Sequence, residues 1–234
     1  MDQELLEEIR RLIIGGKVKR ISNAVQLALI SGFEPQTIID TMTDAMLQVG
    51  ELFHNSDIYV PEMLVASAAM KKGLTLLRPL LSAERQTNRV KYILGTVQGD
   101  LHDVGKNLVC CTLESYGFEV IDLGVDVAPR DFVAAITDHP DCYLLGLSAL
   151  LTTTIPSISA TIEAIAEAGL RDRVYIMVGG APLTWETAKE VGADWYSPDA
   201  YGTAQAALRH VELRRREAEE AAKNAETAED ADEA

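Results

Sequence analysis

YILGTVQGDLHDVGKN, residues 92–107, holds the change of pattern on which the fold turns. Its first six residues are a short apolar run that suits a buried strand, and a polar loop carrying Gly99 and Gly105 then leads straight into a helix. The alternation repeats downstream. FEVIDLG (118–124), YLLGLS (143–148) and VYIMVGG (174–180) are short apolar runs ending in Gly or a small polar residue, and a fifth short strand is expected near Trp195–Tyr196. Helical segments fall at 105–116, 131–138, 155–168 and 184–191, with a last helix from about Gly202 to Arg216. Strands apolar on both faces, alternating with amphipathic helices, predict a five-stranded parallel sheet covered on both sides, over 91–216.

Upstream the period is helical throughout. Leu5, Ile9, Leu12 and Ile13 share one face, and Val18, Ile21, Ala24, Val25, Leu27 and Ala28 form a second. Gly32 stops that segment, Pro35 opens a third with Ile38, Met42, Met46 and Val49, and Pro61 opens a fourth with Met63, Met70 and Leu74. Short loops between four amphipathic helices predict a four-helix bundle over 1–82. The polar stretch 83–90 suits a linker. Residues 217–234 carry eight acidic residues and one Lys, about half of the net charge of −15, and read as a solvated, disordered tail.

Composition narrows the function classes. The chain has 234 residues, 47% of them apolar, and no stretch approaches the roughly 18 apolar residues of a membrane helix. With 36 acidic against 21 basic residues, neither nucleic acid nor an anionic membrane is an expected partner. The N-terminal MDQELLEEIRRL is too acidic for a secretory or transit leader. Three cysteines, two of them adjacent (Cys110, Cys111), fit no disulfide framework or zinc spacing, so a reducing cytoplasm is expected.

Ligands of parallel α/β sheets gather at the carboxyl ends of the strands, and the unusual residues of this sequence lie there. After the first strand comes Gly99-Asp100-Leu101-His102-Asp103-Val104-Gly105, which is neither a dinucleotide fingerprint nor a phosphate-cradling loop. Asp100 and His102, two apart in an extended segment, point the same way. A carboxylate beside an imidazole fixes its tautomer, as behind a metal-bound histidine, but the same pair also serves ordinary capping. The third strand ends in Ser148-Ala149-Leu150, followed by Thr152, Thr153 and Thr154, whose hydroxyls suit helix capping as well as a ligand. Gly179-Gly180, closing the fourth strand, suits either a turn or a ligand lying on bare backbone.

Taken in order along successive strands, Asp-x-His-x-x-Gly (100–105), Ser-x-Leu (148–150) and Gly-Gly (179–180) resemble the cobalamin-binding domain of methionine synthase and the corrinoid methyl-carrier proteins of methyltransferase systems. Gly50-Glu51-Leu52-Phe53 and Tyr59-Val60-Pro61-Glu62 are similar to the helical cap of that family, so the likeness spans roughly residues 1–212. The resemblance implies a four-helix bundle cap joined to a Rossmann-like, flavodoxin-like α/β domain.

It further implies a cobalamin or related corrinoid bound base-off, with His102 as lower axial ligand of cobalt in place of the cofactor's own base. Asp100 would take a hydrogen bond from the other ring nitrogen, and Thr154 stands where the family often has a serine completing the relay. The displaced nucleotide tail would run past Ser148, Leu150, Gly179 and Gly180, with Asp103, Gly105 and Thr152 completing the binding set. Phe53 and Val60 would shield the opposite face.

The implied activity is that of a methyl-carrier subunit, not a complete catalyst alone. A substrate-specific methyltransferase (methylamine, methanol, quaternary amine or aryl methyl ether donor) would load the methyl group. A methylcorrinoid:acceptor methyltransferase would pass it to tetrahydrofolate or coenzyme M, and a reductive activase would restore oxidised cobalt. Two alternatives share the lower-ligand motif: the small subunit of an adenosylcobalamin mutase, and a cobalamin-sensing regulator. The cap with Phe53 argues against the first. The second would need a DNA-binding module, for which the bundle leaves no residues. His54, His139 and His210 are expected at the surface or at caps, and the methionines, tryptophans and Cys142 in packing.

Overall fold

The computed structural model describes residues 2–80 and 89–232. Four helices come first: α1 (Asp2–Ile14), α2 (Val18–Ile30), α3 (Pro35–His54) and α4 (Val60–Leu77). Proline opens α3 at its first turn, where a missing N–H costs nothing. The Glu62 carboxylate accepts the Tyr59 N–H at 3.1 Å, so this residue caps the start of α4. Ile9, Ile13, Ile21, Val25, Ile38, Met42, Met46, Met63 and Met70 are all buried at the centre of the bundle, as their spacing requires. These four methionines fill this core, and none of them lines the cavity at the strand ends.

The second half alternates strand and helix: β1 (Lys91–Thr96), α5 (Val104–Ser115), β2 (Glu119–Asp122), α6 (Pro129–Asp138), β3 (Leu144–Ser148), α7 (Ile155–Glu167), β4 (Tyr175–Gly179), α8 (Trp185–Glu190), β5 (Trp195–Ser197) and α9 (Ala200–Asp232). The strands form one parallel sheet in the order β2-β1-β3-β4-β5, the flavodoxin-like arrangement. Side chains alternate between its two faces. Tyr92, Leu94, Leu144 and Met177 face α5, α9 and the bundle, whereas Ile93, Leu145, Leu147, Ile176 and Val178 pack with Phe132, Ile136, Ile158 and Ile165 of α6 and α7. The bundle and the first face of the sheet therefore share one apolar core.

Specific contacts join the two halves. Tyr116, at the end of α5, is buried and donates its hydroxyl to the Met46 carbonyl of α3 at 3.0 Å. His54, the last residue of α3, lies 3.3 Å from the Asp199 carboxylate ahead of α9 and beside the Tyr201 ring. Tyr116→Phe leaves the Met46 carbonyl without this donor, and a loss of about 1 kcal/mol in unfolding free energy is expected from urea titration. An unchanged midpoint would mean that this bond contributes nothing to docking of the bundle.

Two expectations meet the coordinates differently. The linker 83–90 lies outside the described residues except for Arg89 and Val90, where Arg89 Nε donates to the Gly117 carbonyl at 3.0 Å. The last helix, expected to end near Arg216, is continuous to Asp232. The added stretch holds no Gly or Pro and is mostly Ala and Glu, strong helix formers that need no packed face. No helix among the described residues is long and apolar enough to cross a membrane.

Candidate functional site

In this strand order the chain leaves β1 for one edge and returns through β3, so the loops after those two strands diverge and open a crevice between them. Asp100 sits in the loop after β1 and is fully buried. One carboxylate oxygen accepts the His102 backbone N–H at 3.0 Å and lies 2.7 Å from His102 Nδ1. The other accepts the Leu150 N–H at 2.7 Å and the Thr154 hydroxyl at 2.9 Å, both from the loop after β3. Asp100 thus ties the two sides of the crevice together. Burial by itself would raise the Asp100 pKa, but the hydrogen bonds from Leu150, His102 and Thr154 outweigh it and hold the carboxyl well below the usual carboxylate range.

An ionised carboxylate only accepts, so His102 Nδ1 carries the proton and Nε2 is left with its lone pair. The His102 side chain is half exposed and lines a cavity of about 540 Å³ at the strand ends. Its backbone is fixed as well, because the buried Thr96 hydroxyl donates to the His102 carbonyl at 3.0 Å. Asp126, with φ of 53°, takes the Gly99 N–H at 2.7 Å on its carboxylate and gives its own N–H to the Asp100 carbonyl at 3.0 Å. Ring and backbone of His102 are thus both held in place at the mouth of the cavity.

The same cavity is lined by Asp103, Gly105, Ser148, Leu150, Gly179 and Gly180, and by Phe53 from the end of α3. Asp103 stands just before α5 and holds Asn107 at 3.1 Å. Gly180 has φ of +136°, and a Cβ there would lie 1.8 Å from the Ala149 carbonyl oxygen, so only glycine lets β4 turn away beneath β3. Thr152 and Val60 are placed otherwise. Both are exposed and neither lines this cavity, Thr152 in the short 3-10 turn Thr152–Thr154 and Val60 on the first turn of α4.

Away from this crevice, His210 stacks on Tyr175 with ring centroids 4.0 Å apart, and Trp185 meets Trp195 edge-on at 4.7 Å. Burial pushes the Cys110 thiol up to about 11, and the buried Cys142 lies within 3.3 Å of the Lys91 carbonyl. Among the described residues there is no cluster of three or more His, Cys, Asp or Glu to chelate a metal. His102 is suited instead to a metal that arrives already held by its own macrocycle.

The cavity continues inward between the sheet and helices α5 and α9, along Leu94, Leu108, Val109, Gly146 and Met177 to Tyr92. A Cβ on Gly146 would lie 2.8 Å from both Leu94 and Tyr92, so this glycine keeps the space clear. Tyr92 Oη and Ser197 Oγ, both buried and both lining the cavity, have no hydrogen-bond partner among the described residues. Buried polar atoms are normally satisfied, and a pair left open on one apolar channel is the mark of a ligand that supplies the missing partners. A flat headgroup above His102 with a long, partly polar tail fits this shape.

Comparison with known proteins decides the family. Residues 90–208 match the B12 binding domain, and residues 5–78 match a second B12 binding domain model, the helical one. This chain belongs to the corrinoid proteins of methyltransferase systems. Dimethylamine corrinoid protein 3 of Methanosarcina acetivorans is 40% identical over 197 residues, covering 84% of this chain and 92% of that protein. A cobalamin-binding protein from Desulfitobacterium hafniense superposes with a TM-score of 0.75 at 29% identity, over 87% of this chain and 97% of that one. A chain of the methanol:cobalamin methyltransferase complex MtaBC from Methanosarcina barkeri superposes with a TM-score of 0.77 at 25% identity, over 89% and 80%.

Within this corrinoid protein, Tyr92, Lys106, Met177, Ser197 and Asp199 are cavity residues that sequence reasoning passed over. Lys106 is buried against the cavity wall, with its ammonium 2.6 Å from Asp122 and 2.8 Å from Asn107, so its charge is paired within the fold. The only local signal for Tyr92 was a hydroxyl inside an otherwise apolar strand, which ordinary core tyrosines share.

Proposed function

We propose that this chain carries a methyl group on the cobalt of a base-off corrinoid, receiving it from a substrate-specific methyltransferase and yielding it to a methylcorrinoid:acceptor methyltransferase. The observation that carries the reading is the buried Asp100, which holds His102 Nδ1 at 2.7 Å and leaves Nε2 free toward the cavity. When bound, the corrinoid supplies a cobalt centre able to accept and release a methyl group.

The rest belongs to the chain. His102 Nε2 would hold the cobalt, and Asp100, itself held by Thr154, would fix the orientation of the imidazole by taking the proton-bearing Nδ1 as its partner. The apolar channel from Leu94 to Tyr92 buries the displaced tail, with Ser148, Leu150, Gly179 and Gly180 at its mouth. Phe53 covers the opening from the bundle side, with Val60 one element further on, and this cover must shift to admit a partner. The 40% identity to a dimethylamine corrinoid protein favours a methylamine-type donor; tetrahydrofolate or coenzyme M serves as acceptor, and an activase re-reduces oxidised cobalt. The setting is a reducing cytoplasm, in keeping with free cysteines at Cys110, Cys111 and Cys142.

The test is loading. Incubated with hydroxocobalamin and desalted, the protein should keep a red chromophore. After reduction by titanium(III) citrate it should take up label from radioactive methyl iodide. A folded protein that elutes colourless contradicts the proposal.

A further inference from the structure

Among the described residues, Tyr92 Oη and Ser197 Oγ are unpartnered at two different depths of one channel. Ser197 lies in the row of strand ends, in register with Gly179 and, through it, with Ser148. The Tyr92 hydroxyl reaches over Gly146, 2.9 Å from where a Cβ on that residue would stand. Gly146 is two residues before Ser148 on β3, so this hydroxyl sits roughly 6.5 Å further down the sheet than the row of strand ends. Its surroundings are apolar: Leu94, Leu108, Val109 and Met177 line the channel, and Phe118 packs edge-on against the Tyr92 ring at 6.4 Å. Burial pushes the Tyr92 phenol far above its ordinary pKa, so the group is a neutral hydroxyl at every physiological pH. A buried neutral hydroxyl in apolar walls calls for an acceptor, and none comes from the described residues.

Resting on the corrinoid reading of this site, we propose that Tyr92 reads the lower base of the cofactor. Its hydroxyl donates a hydrogen bond to the ring nitrogen that a benzimidazole base exposes once His102 has displaced it from cobalt. The argument concerns pairing on both sides. A base released from the metal carries a nitrogen lone pair that has lost its partner. The Ser148 and Ser197 hydroxyls stand in the shallower row of strand ends, and at the depth of Tyr92 the walls Leu94, Leu108, Val109 and Met177 offer it nothing. The Tyr92 hydroxyl is a donor that lacks an acceptor in the same channel. Each satisfies the other. A phenolic lower base, such as p-cresol, has no ring nitrogen, so it occupies the channel and leaves the hydroxyl unpaired. Tyr92 therefore acts as a specificity-determining residue for which cobamide the protein holds.

The experiment compares two cobamides, one with a 5,6-dimethylbenzimidazole and one with a p-cresol lower base, by equilibrium titration of the apo protein followed through quenching of Trp185 and Trp195 fluorescence. The wild type should bind the benzimidazolyl form about tenfold more tightly, the size expected of one well-made buried hydrogen bond against an unpaired hydroxyl. Tyr92→Phe should abolish that preference by weakening the benzimidazolyl form alone, while the unfolding midpoint of the apo protein stays unchanged or rises, because the variant deletes an unsatisfied group. Ser197→Ala, which removes the shallower hydroxyl, should leave the ratio as in wild type. Equal affinities in the wild type overturn the proposal without recourse to any variant. So does a ratio that survives Tyr92→Phe, or one that is lost in Ser197→Ala instead. Failure of the wild type to retain either cobamide is a distinct result, which removes the corrinoid reading itself and this inference with it.

Discussion

At pH 7, Asp100→Asn is expected to lower the unfolding free energy of the apo protein by about 2–4 kcal/mol, far more than its single-atom change suggests. The reason is the identity of the four partners. The His102 N–H and Nδ1 face one oxygen of Asp100, and the Leu150 N–H and the Thr154 hydroxyl face the other. Two of the four are backbone N–H groups that can only donate, whereas Thr154 can turn toward the Leu151 carbonyl at 2.9 Å and the His102 ring can move its proton to Nε2. An amide must set its NH2 against one of the two pairs. Placed toward Leu150 it opposes a backbone N–H that has no alternative; placed toward His102 it opposes another and forces the ring to present a lone pair at Nδ1.

The same geometry gives the penalty a pH dependence of definite sign. Asp100 titrates in the folded state below its ordinary value of 3.8, so the stabilisation is fully present above about pH 4. As the pH falls through 3.8 toward the depressed folded value, the unfolded chain takes up the proton first, and the advantage of the wild type shrinks. Urea titrations of wild type and Asp100→Asn at pH 7, 5, 4 and 3 should show a constant gap at the two higher values and a narrowing one below. Other carboxylates also titrate in that range, but they are common to both proteins and cancel in the difference. A gap of equal size at pH 7 and pH 3 would show that Asp100 is not held as an anion by these donors.

The features legible in the sequence are those set by local pattern. The change from helical to strand period at Tyr92 marked the second half, and apolar runs with no alternation required a sheet covered on both faces, which the five parallel strands are. The Asp100–His102 pair was legible because both residues lie in one loop. Leu150 was read as lining a tail; its backbone N–H on Asp100 was not foreseen, because that bond depends on β3 lying beside β1 with Thr96 opposite Ser148. Tyr92 was illegible for the same reason. Nothing near it in the chain distinguishes it from a core tyrosine until Gly146 arrives beside it from the neighbouring strand. Val60 shows the converse limit: its motif neighbours matched a family pattern, yet the turn that opens α4 presents it to solvent, away from the cavity that Phe53 lines. The length of α9 was misjudged because charge was weighed above helix propensity, and an Ala–Glu run can satisfy its own backbone without a packed face.

His102→Ala should separate ligation from retention of the cofactor. On the proposed reading, retention depends on the channel from Leu94 to Tyr92 and on the mouth at Ser148, Gly179 and Gly180, all of which the substitution leaves in place. The variant should therefore still elute with pigment after loading with hydroxocobalamin, at reduced affinity. What it should lose entirely is the coordinated nitrogen. In the cobalt(II) state the wild type should show the nitrogen superhyperfine splitting of one axial imidazole by electron paramagnetic resonance, and His102→Ala should not. Growth with 15N-labelled histidine removes any ambiguity with the cofactor's own base, since only a protein ligand then alters the splitting pattern. Asp100 has a predictable part in the same experiment. With His102 gone, its Oδ1 keeps only the backbone N–H of residue 102, while Leu150 and Thr154 remain on Oδ2, so the carboxylate stays ionised and the loop stays closed. The variant should consequently fold, with a thermal midpoint near that of wild type, and exogenous imidazole should restore the splitting by entering the vacated place beside Asp100. A splitting that persists in His102→Ala would assign the axial nitrogen to another group and remove this histidine from the ligand role.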